Sequence, residues 1–175
     1  MNRKEIIDQY FDRIDTLSDE NRIALRRSCG KMINELDAYT LSMFYRYIPD
    51  FVVNNSLNKW LLATCIHCLW NNNEKSQGEV DRLSVEDALK FYRAENNSNI
   101  SESFEKRIHN LLDTPWDEYG FMADKYLKIV KMLRQKGYAI DGRCILEDLL
   151  FWDSDSRIVQ RRWAKTLNSN YKEEE

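Results

Sequence analysis

Apolar residues return at helical spacing along most of the chain, and each run ends at a recognisable break. Ile6, Ile7, Phe11, Ile14 and Leu17 share one side of a first helix, while Asp8, Asp12 and Asp15 lie near one another on the outer side. Ser18, followed by Asp19 and Glu20, reads as a cap with an acidic first turn for a second helix from about 19 to 29, which Gly30 can end in the left-handed conformation. A third helix covers Ala38 to Ile48 and stops at Pro49, and Ser56 caps a fourth that continues to Trp70. The pattern then breaks over Asn71 to Gln77, a polar loop. Ser84, with Asp87 three residues on, opens a helix ending near Tyr92 or Arg93. Asn96 to Asn99 form a second polar loop, and Ser101 caps a helix through Leu112. Beyond Pro115 a long helix extends from about Asp117 to Lys136 and Gly137 ends it. The last two helices cover about Arg143 to Phe151 and about Ser156 to Leu167.

The pattern therefore predicts an all-α fold, a compact bundle of about eight to nine helices. One helical domain is expected over 1–168, divisible into lobes 1–70 and 84–168 joined by the loop 71–83, with an acidic frayed tail over 169–175. Composition agrees: 5 Gly and 2 Pro in 175 residues leave too little turn chemistry for the many hairpins of a β-sandwich or barrel. The longest nearly uncharged apolar stretch, Trp60 to Trp70, is too short to cross a bilayer. Charge at Arg3, Lys4, Glu5 and Asp8 interrupts any secretion signal, and the cysteines at 29, 65, 68 and 144 are too few and too irregular for a disulfide scaffold. These features predict a cytoplasmic protein with reduced thiols and no membrane partner.

A formal net charge of -3 argues against a protein that binds nucleic acid with its whole surface, yet the charge is unevenly placed. Residues 86–124 hold 4 basic and 9 acidic side chains, whereas 125–172 hold 11 basic and 5 acidic, a surplus of +6. On the last helix Arg157, Arg161 and Lys165 project to one face with Arg162 flanking, opposite Val159, Trp163 and Leu167. On the long helix before it, Tyr126, Ile129, Val130 and Leu133 form the apolar side, and Lys128, Lys131 and Arg134 spread over the other. Asp124 can pair with Lys128 at four residues' spacing. Charged outer faces are the ordinary state of surface helices; two basic ones close together in sequence favour a surface for phosphates, which need Arg and Lys at many points and no catalytic constellation. Arg22 and Arg26 also share a face and are equally suited to pairing with acids.

Catalytic chemistry is sparse. Cys65 and Cys68 form a lone C-x-x-C pair within an apolar run, and a tetrahedral zinc site needs two further ligands that Cys29, His109 and Cys144 do not offer at any partner spacing. The thiols are read as small core side chains, His67 as a partly buried helical residue, and no metal or cofactor is expected. No nucleophile elbow, P-loop or dinucleotide fingerprint is present. Asp153 and Asp155 are read as the acidic start of the last helix. Trp60, Trp70 and Trp163 are assigned to the core, and Trp116 and Trp152 to helix ends where the indole N–H can reach a partner.

Four segments taken in order carry a resemblance: Ala24-Leu25-Arg26-Arg27; Phe44-Tyr45-Arg46-Tyr47-Ile48-Pro49; Lys106-Arg107-Ile108-His109-Asn110-Leu111-Leu112; and Ile145 to Trp152 followed by Arg157 and Trp163-Ala164. Their succession in a small all-helical chain resembles the CasB family, the small subunit of the type I-E CRISPR interference complex, Cascade. The resemblance implies a non-enzymatic subunit present as two copies beside the large and backbone subunits. It also implies that the subunit stabilises guide RNA with target DNA and holds the displaced strand. By position it carries nucleic-acid binding onto Arg26, Arg27, Arg46, Lys106, Arg107 and Arg157; helical projection adds Lys128, Lys131, Arg134, Arg161, Arg162 and Lys165. The segment before the Ser84 helix departs from the family, with Arg82 and Glu86 where glycines are common. Two other classes compete: a helical adaptor that binds only protein, and a small metal-dependent hydrolase using the carboxylates or the C-x-x-C.

Overall fold

A computed structural model describes residues 2–70, 82–96 and 100–168. The expected polar loop Asn71–Gln77, all but Asn96 of the loop Asn96–Asn99, and the acidic tail at 169–175 lie outside the described residues. Within them the chain forms nine α-helices: α1 (Arg3–Asp15), α2 (Asp19–Arg27), α3 (Ala38–Tyr47), α4 (Asn54–His67), α5 (Val85–Glu95), α6 (Glu102–Leu112), α7 (Phe121–Gln135), α8 (Gly142–Leu150) and α9 (Ile158–Asn168). The all-α expectation holds. A single 3-10 turn, Ile33–Glu35, precedes α3, and one parallel bridge joins Leu83 to Ile140.

Most ends follow the expected cap chemistry. The side chains of Ser18, Ser84 and Ser101 accept from the backbone N–H of Asn21, Asp87 and Phe104, and Gly30 and Gly137 close their helices at φ +96° and +92°. Two starts differ. Helix α4 begins at Asn54, ahead of Ser56, whose hydroxyl instead donates to the Val53 carbonyl at 2.9 Å, so it caps nothing. Helix α7 begins at Phe121, because the Asp117 carboxylate reaches forward over a turn to the N–H groups of Phe121 and Met122.

Helix α4 is the central rod. From Leu57 to His67 every residue is buried, as befits a helix apolar on all sides; the helix ends at His67 rather than at the expected Trp70, and Cys68, Leu69 and Trp70 stay buried beyond it. Its few polar groups are answered internally: Thr64 donates to the Trp60 carbonyl and meets Tyr10, and Lys59 pairs with Asp153 at 2.8 Å. Asp153 is thereby committed to α4 rather than to the start of α9, and its other oxygen accepts the Trp116 N–H. Helix α4 packs chiefly on α8, with α2 and α7 also against it; α1 packs on α8 and α3. Gly142 makes the α8 contact possible, since a Cβ there would lie 2.6 Å from both His67 and Phe11. Helices α5, α6, α7 and α9 form the other packed group, with α5 and α6 each against α7 and α9. Its centre is the edge-on cluster of Tyr126, Trp152 and Trp163. All three core tryptophans are buried, and Trp116 and Trp152 bond Glu118 and the Thr114 carbonyl through their indole N–H. No helix among the described residues is long and apolar enough to cross a membrane.

Candidate nucleic-acid interface

Helix α9 divides as its spacing requires: Val159, Trp163 and Leu167 are buried, while Arg161 and Lys165 face solvent. Arg157 stands one residue ahead of the helix at φ +49°, a left-handed conformation costing a side-chain-bearing residue on the order of 1 kcal/mol. The turn sends its guanidinium across to the end of α6. There it donates to the Leu112 carbonyl at 2.7 Å and sits 3.4 Å from Asp113, answering a carbonyl that the helix end leaves open. A cavity of about 360 Å³ opens at this junction, walled by His109, Asp113, Arg157, Gln160 and Arg161.

Arg162, one residue along, is differently placed. It pairs with Glu86 of α5 at 2.5 Å and with the buried Asp148 of α8, which also accepts the Trp163 indole N–H. Burial pushes the Asp148 carboxyl up to about 6, against the opposing charge of Arg162. Arg162 thus clasps three helices, and its charge is answered within the fold.

On α6, Lys106 and Arg107 are exposed, and Arg107 reaches α7 through Met132 sulfur at 3.8 Å. On α7, Lys131 and Arg134 are exposed; Lys128 is bound by Asp124 at 2.6 Å, as their spacing predicts; and Arg134 lies over the Trp70 ring. Since α6 packs on both α7 and α9, these cations belong to one packed set of helices. Arg26, Arg27 and Arg46 sit on α2 and α3, whose main packing partners are α1, α4 and each other. Arg27 edges a groove of about 680 Å³ with Lys31, Asp37 and Tyr39, Arg46 is exposed, and Arg26 is half-buried. The end of α2 bears on α7 through Gly30 and Leu127.

A second cluster of charge lies inside. His67 is fully buried, beyond the partial burial expected from sequence, with Nε2 3.0 Å from Asp15, Nδ1 3.6 Å from Asp141, and Arg82 against the ring. Arg22 and Arg143 also close on Asp15. Cys65 and Cys68 are buried beside it, and burial pushes the Cys68 thiol up to about 12.

The family model for the CRISPR-associated protein Cse2 matches residues 21–166. The chain belongs to the Cse2 family. That match runs from within α2 to within α9 and leaves α1 ahead of it. No relative is found among curated proteins. Three solved structures share the fold over nearly the whole chain. One is a chain of a CRISPR RNA-guided surveillance complex (19% identity, 94% of both chains, TM-score 0.69). Another is the CasB of M. ruber (18% identity, 95% of this chain and 92% of that one, TM-score 0.68). The third is a Cse2 family protein of Thermus thermophilus (22% identity, 95% of this chain and 98% of that one, TM-score 0.68). In this Cse2 family member the cavity places His109, itself 3.9 Å from Glu105, beside Arg157 and Arg161, a neighbour not among the site positions read from sequence. Its signal was available: His109 lies three residues after the exposed Lys106 and shares its face.

Proposed function

We propose that this Cse2 family member is a non-catalytic small subunit of a type I-E CRISPR surveillance complex in the cytoplasm. Its outward basic helices hold the phosphate backbones of guide RNA with target DNA and of the displaced strand. Large and backbone subunits and a second copy of the chain complete the assembly. The observation that carries this reading is a set of exposed cations on α6 and on the two helices packed against it, α7 and α9. Lys106, Arg107, Lys131, Arg134, Arg161 and Lys165 have no acidic partner among the described residues. Such a surface binds backbone charge without reading sequence, which base pairing with the guide supplies. The solved relative named as a chain of an RNA-guided surveillance complex supports the same assignment. Arg26, Arg27 and Arg46 extend the surface, while Arg157, Lys128 and Arg162 are partly or wholly neutralised by acids.

The test is the triple variant Arg107→Glu, Arg161→Glu, Lys165→Glu in the reconstituted complex. Protection of the displaced strand should fall steeply, and the binding constant should lose salt dependence by about 0.7 in log–log slope for each single-strand phosphate contact removed. The melting temperature of the subunit should stay at the wild-type value. Unchanged strand protection would remove these helices from the interface.

A further inference from the structure

The segment joining α6 to α7 is built as a rigid turn. The Asp117 carboxylate accepts the backbone N–H groups of Tyr119 (2.9 Å), Phe121 (3.1 Å) and Met122 (2.8 Å). Trp116 is tied to Asp153 by its backbone and to Glu118 by its indole, and Glu118 accepts from Asn58 of α4 at 2.7 Å. Gly120 makes the reversal at φ +89°, where any side chain would be strained and a Cβ would come within 3.2 Å of Met32. On this turn stand Tyr119 and Phe121, 86% and 69% exposed, the two most exposed large apolar side chains among the described residues, with ring centroids 6.5 Å apart. Scattered surface apolar residues are ordinary; two adjacent rings fixed outward by a hydrogen-bonded turn are not.

The electrostatics around the turn select the partner. Asp117 and Glu118 stand on the turn itself beside the rings, and neither is paired with a cation among the described residues, while Asp113 and Asp124 farther along face Arg157 and Lys128; the surrounding stretch holds 9 acidic residues against 4 basic ones. Of the nearest lysines, Lys128 is bound to Asp124, and Lys125 donates to Thr114. A phosphate backbone is repelled there, so stacking on nucleobases is disfavoured. A protein surface with basic side chains is attracted.

We infer that the turn from Asp117 to Phe121 is a docking knob whose two rings enter an apolar pocket, rimmed by Lys or Arg, on another protein subunit of the assembly. Aromatic side chains held in advance bind with little ordering cost and commonly carry the energy of such contacts. This rests on the proposal that the chain works within the surveillance complex.

The experiment co-expresses the chain with the large and backbone subunits and guide RNA, and measures how much of the chain each purified complex retains. Tyr119→Ser with Phe121→Ser should reduce retention at least tenfold, with an unchanged melting temperature and unchanged binding of the free subunit to single-stranded DNA. The exchange Tyr119→Phe with Phe121→Tyr should retain it, as should Phe91→Ser, an exposed aromatic on α5. Should the double variant melt early, each single Ser variant gives the same reading. Equal retention of wild type and variant overturns the knob alone. So does a variant that still joins but has lost DNA binding, which makes the rings a stacking platform, or has lost self-association, which makes them a contact between copies. A wild-type chain that never joins overturns the proposed function and the knob together.

Discussion

Arg22, Arg82 and Arg143 converge on Asp15 at 3.6, 3.9 and 3.4 Å, whereas Arg107, Arg161 and Lys165 carry their charge into solvent with no acidic partner among the described residues. The first group ties α1, α2, α8 and the residue before the Leu83 bridge to buried His67. The second covers helices whose inner faces already pack through Trp163 and its neighbours. The side-chain charge is the same in both regions, and what differs is whether a carboxylate stands within reach. The surplus of +6 over 125–172 therefore overstates the available charge. It includes Arg143 and Arg162, and both are held by acids. A phosphate-binding surface is defined by the cations left over after the fold has used its own.

The largest effect expected is on the support beneath the outward face. Trp163 is fully buried against Tyr126 and Trp152. Replacing it with Ala should cost about 3–5 kcal/mol, read from urea unfolding. A near wild-type midpoint would mean that the basic face of α9 is not carried by this core. Next comes the internal region. Asp15→Ala leaves His67 and three guanidinium groups without their shared carboxylate and should cost on the order of 3 kcal/mol. The pH dependence has a fixed sign. Burial raises the Asp15 carboxyl, but the hydrogen bond and charge of His67, with Arg82 and Arg143, outweigh it and hold the group well below the carboxylate range. In acid the unfolded chain thus binds the extra proton. The contribution of Asp15 is full above about pH 4 and is lost as pH falls. Acid unfolding of Asp15→Asn should be correspondingly shallower, and an acid limb identical to wild type would break the assignment.

The two regions are not equally legible from sequence. Local rules recover the outward one: caps at Ser18, Ser84 and Ser101, the split faces of α7 and α9, and the Asp124–Lys128 pair depend on residues within a turn or so of one another. The internal region escapes because its partners are remote. His67 meets Asp15 across 52 positions and the Gly142 N–H across 75, distances over which periodicity says nothing. Asp153 departs from its expected place at the start of α9 for the same reason, its partner Lys59 lying 94 residues away. Ser56 is not the expected cap because α4 starts without any side-chain cap, held by burial instead. Arg162 projects beside the basic face, and only the approach of α5 and α8 shows that Glu86 and Asp148 claim it.

Arg161 and Arg162 put the contrast on adjacent residues. Arg162→Gln should destabilise the protein by about 1–2 kcal/mol, because Asp148 is left buried with a weakened set of partners. Arg161→Gln should leave unfolding unchanged and weaken strand binding in the assembled complex. If the two variants behave alike in both assays, the division between structural and available cations fails on α9.

The smallest effect separates two lysines on one helix. Lys128 is already bound to Asp124 on an exposed turn of α7, while Lys131, one turn on, is exposed and has no acidic partner among the described residues. An exposed pair at this spacing stabilises by no more than about 0.5 kcal/mol, so neither Lys128→Ala nor Lys131→Ala should move the unfolding midpoint appreciably. Strand binding at low salt should distinguish them. Lys131→Ala removes a whole available charge, and Lys128→Ala one already half-neutralised. Asp124→Asn should then strengthen binding by releasing Lys128, and added salt should erase that gain because it screens the pair and the phosphates together. Equal losses from the two lysine variants, with no gain from Asp124→Asn, would mean that a paired surface cation serves phosphate as well as an unpaired one. The distinction would then hold only where burial, as around Asp15, prevents the carboxylate from letting go.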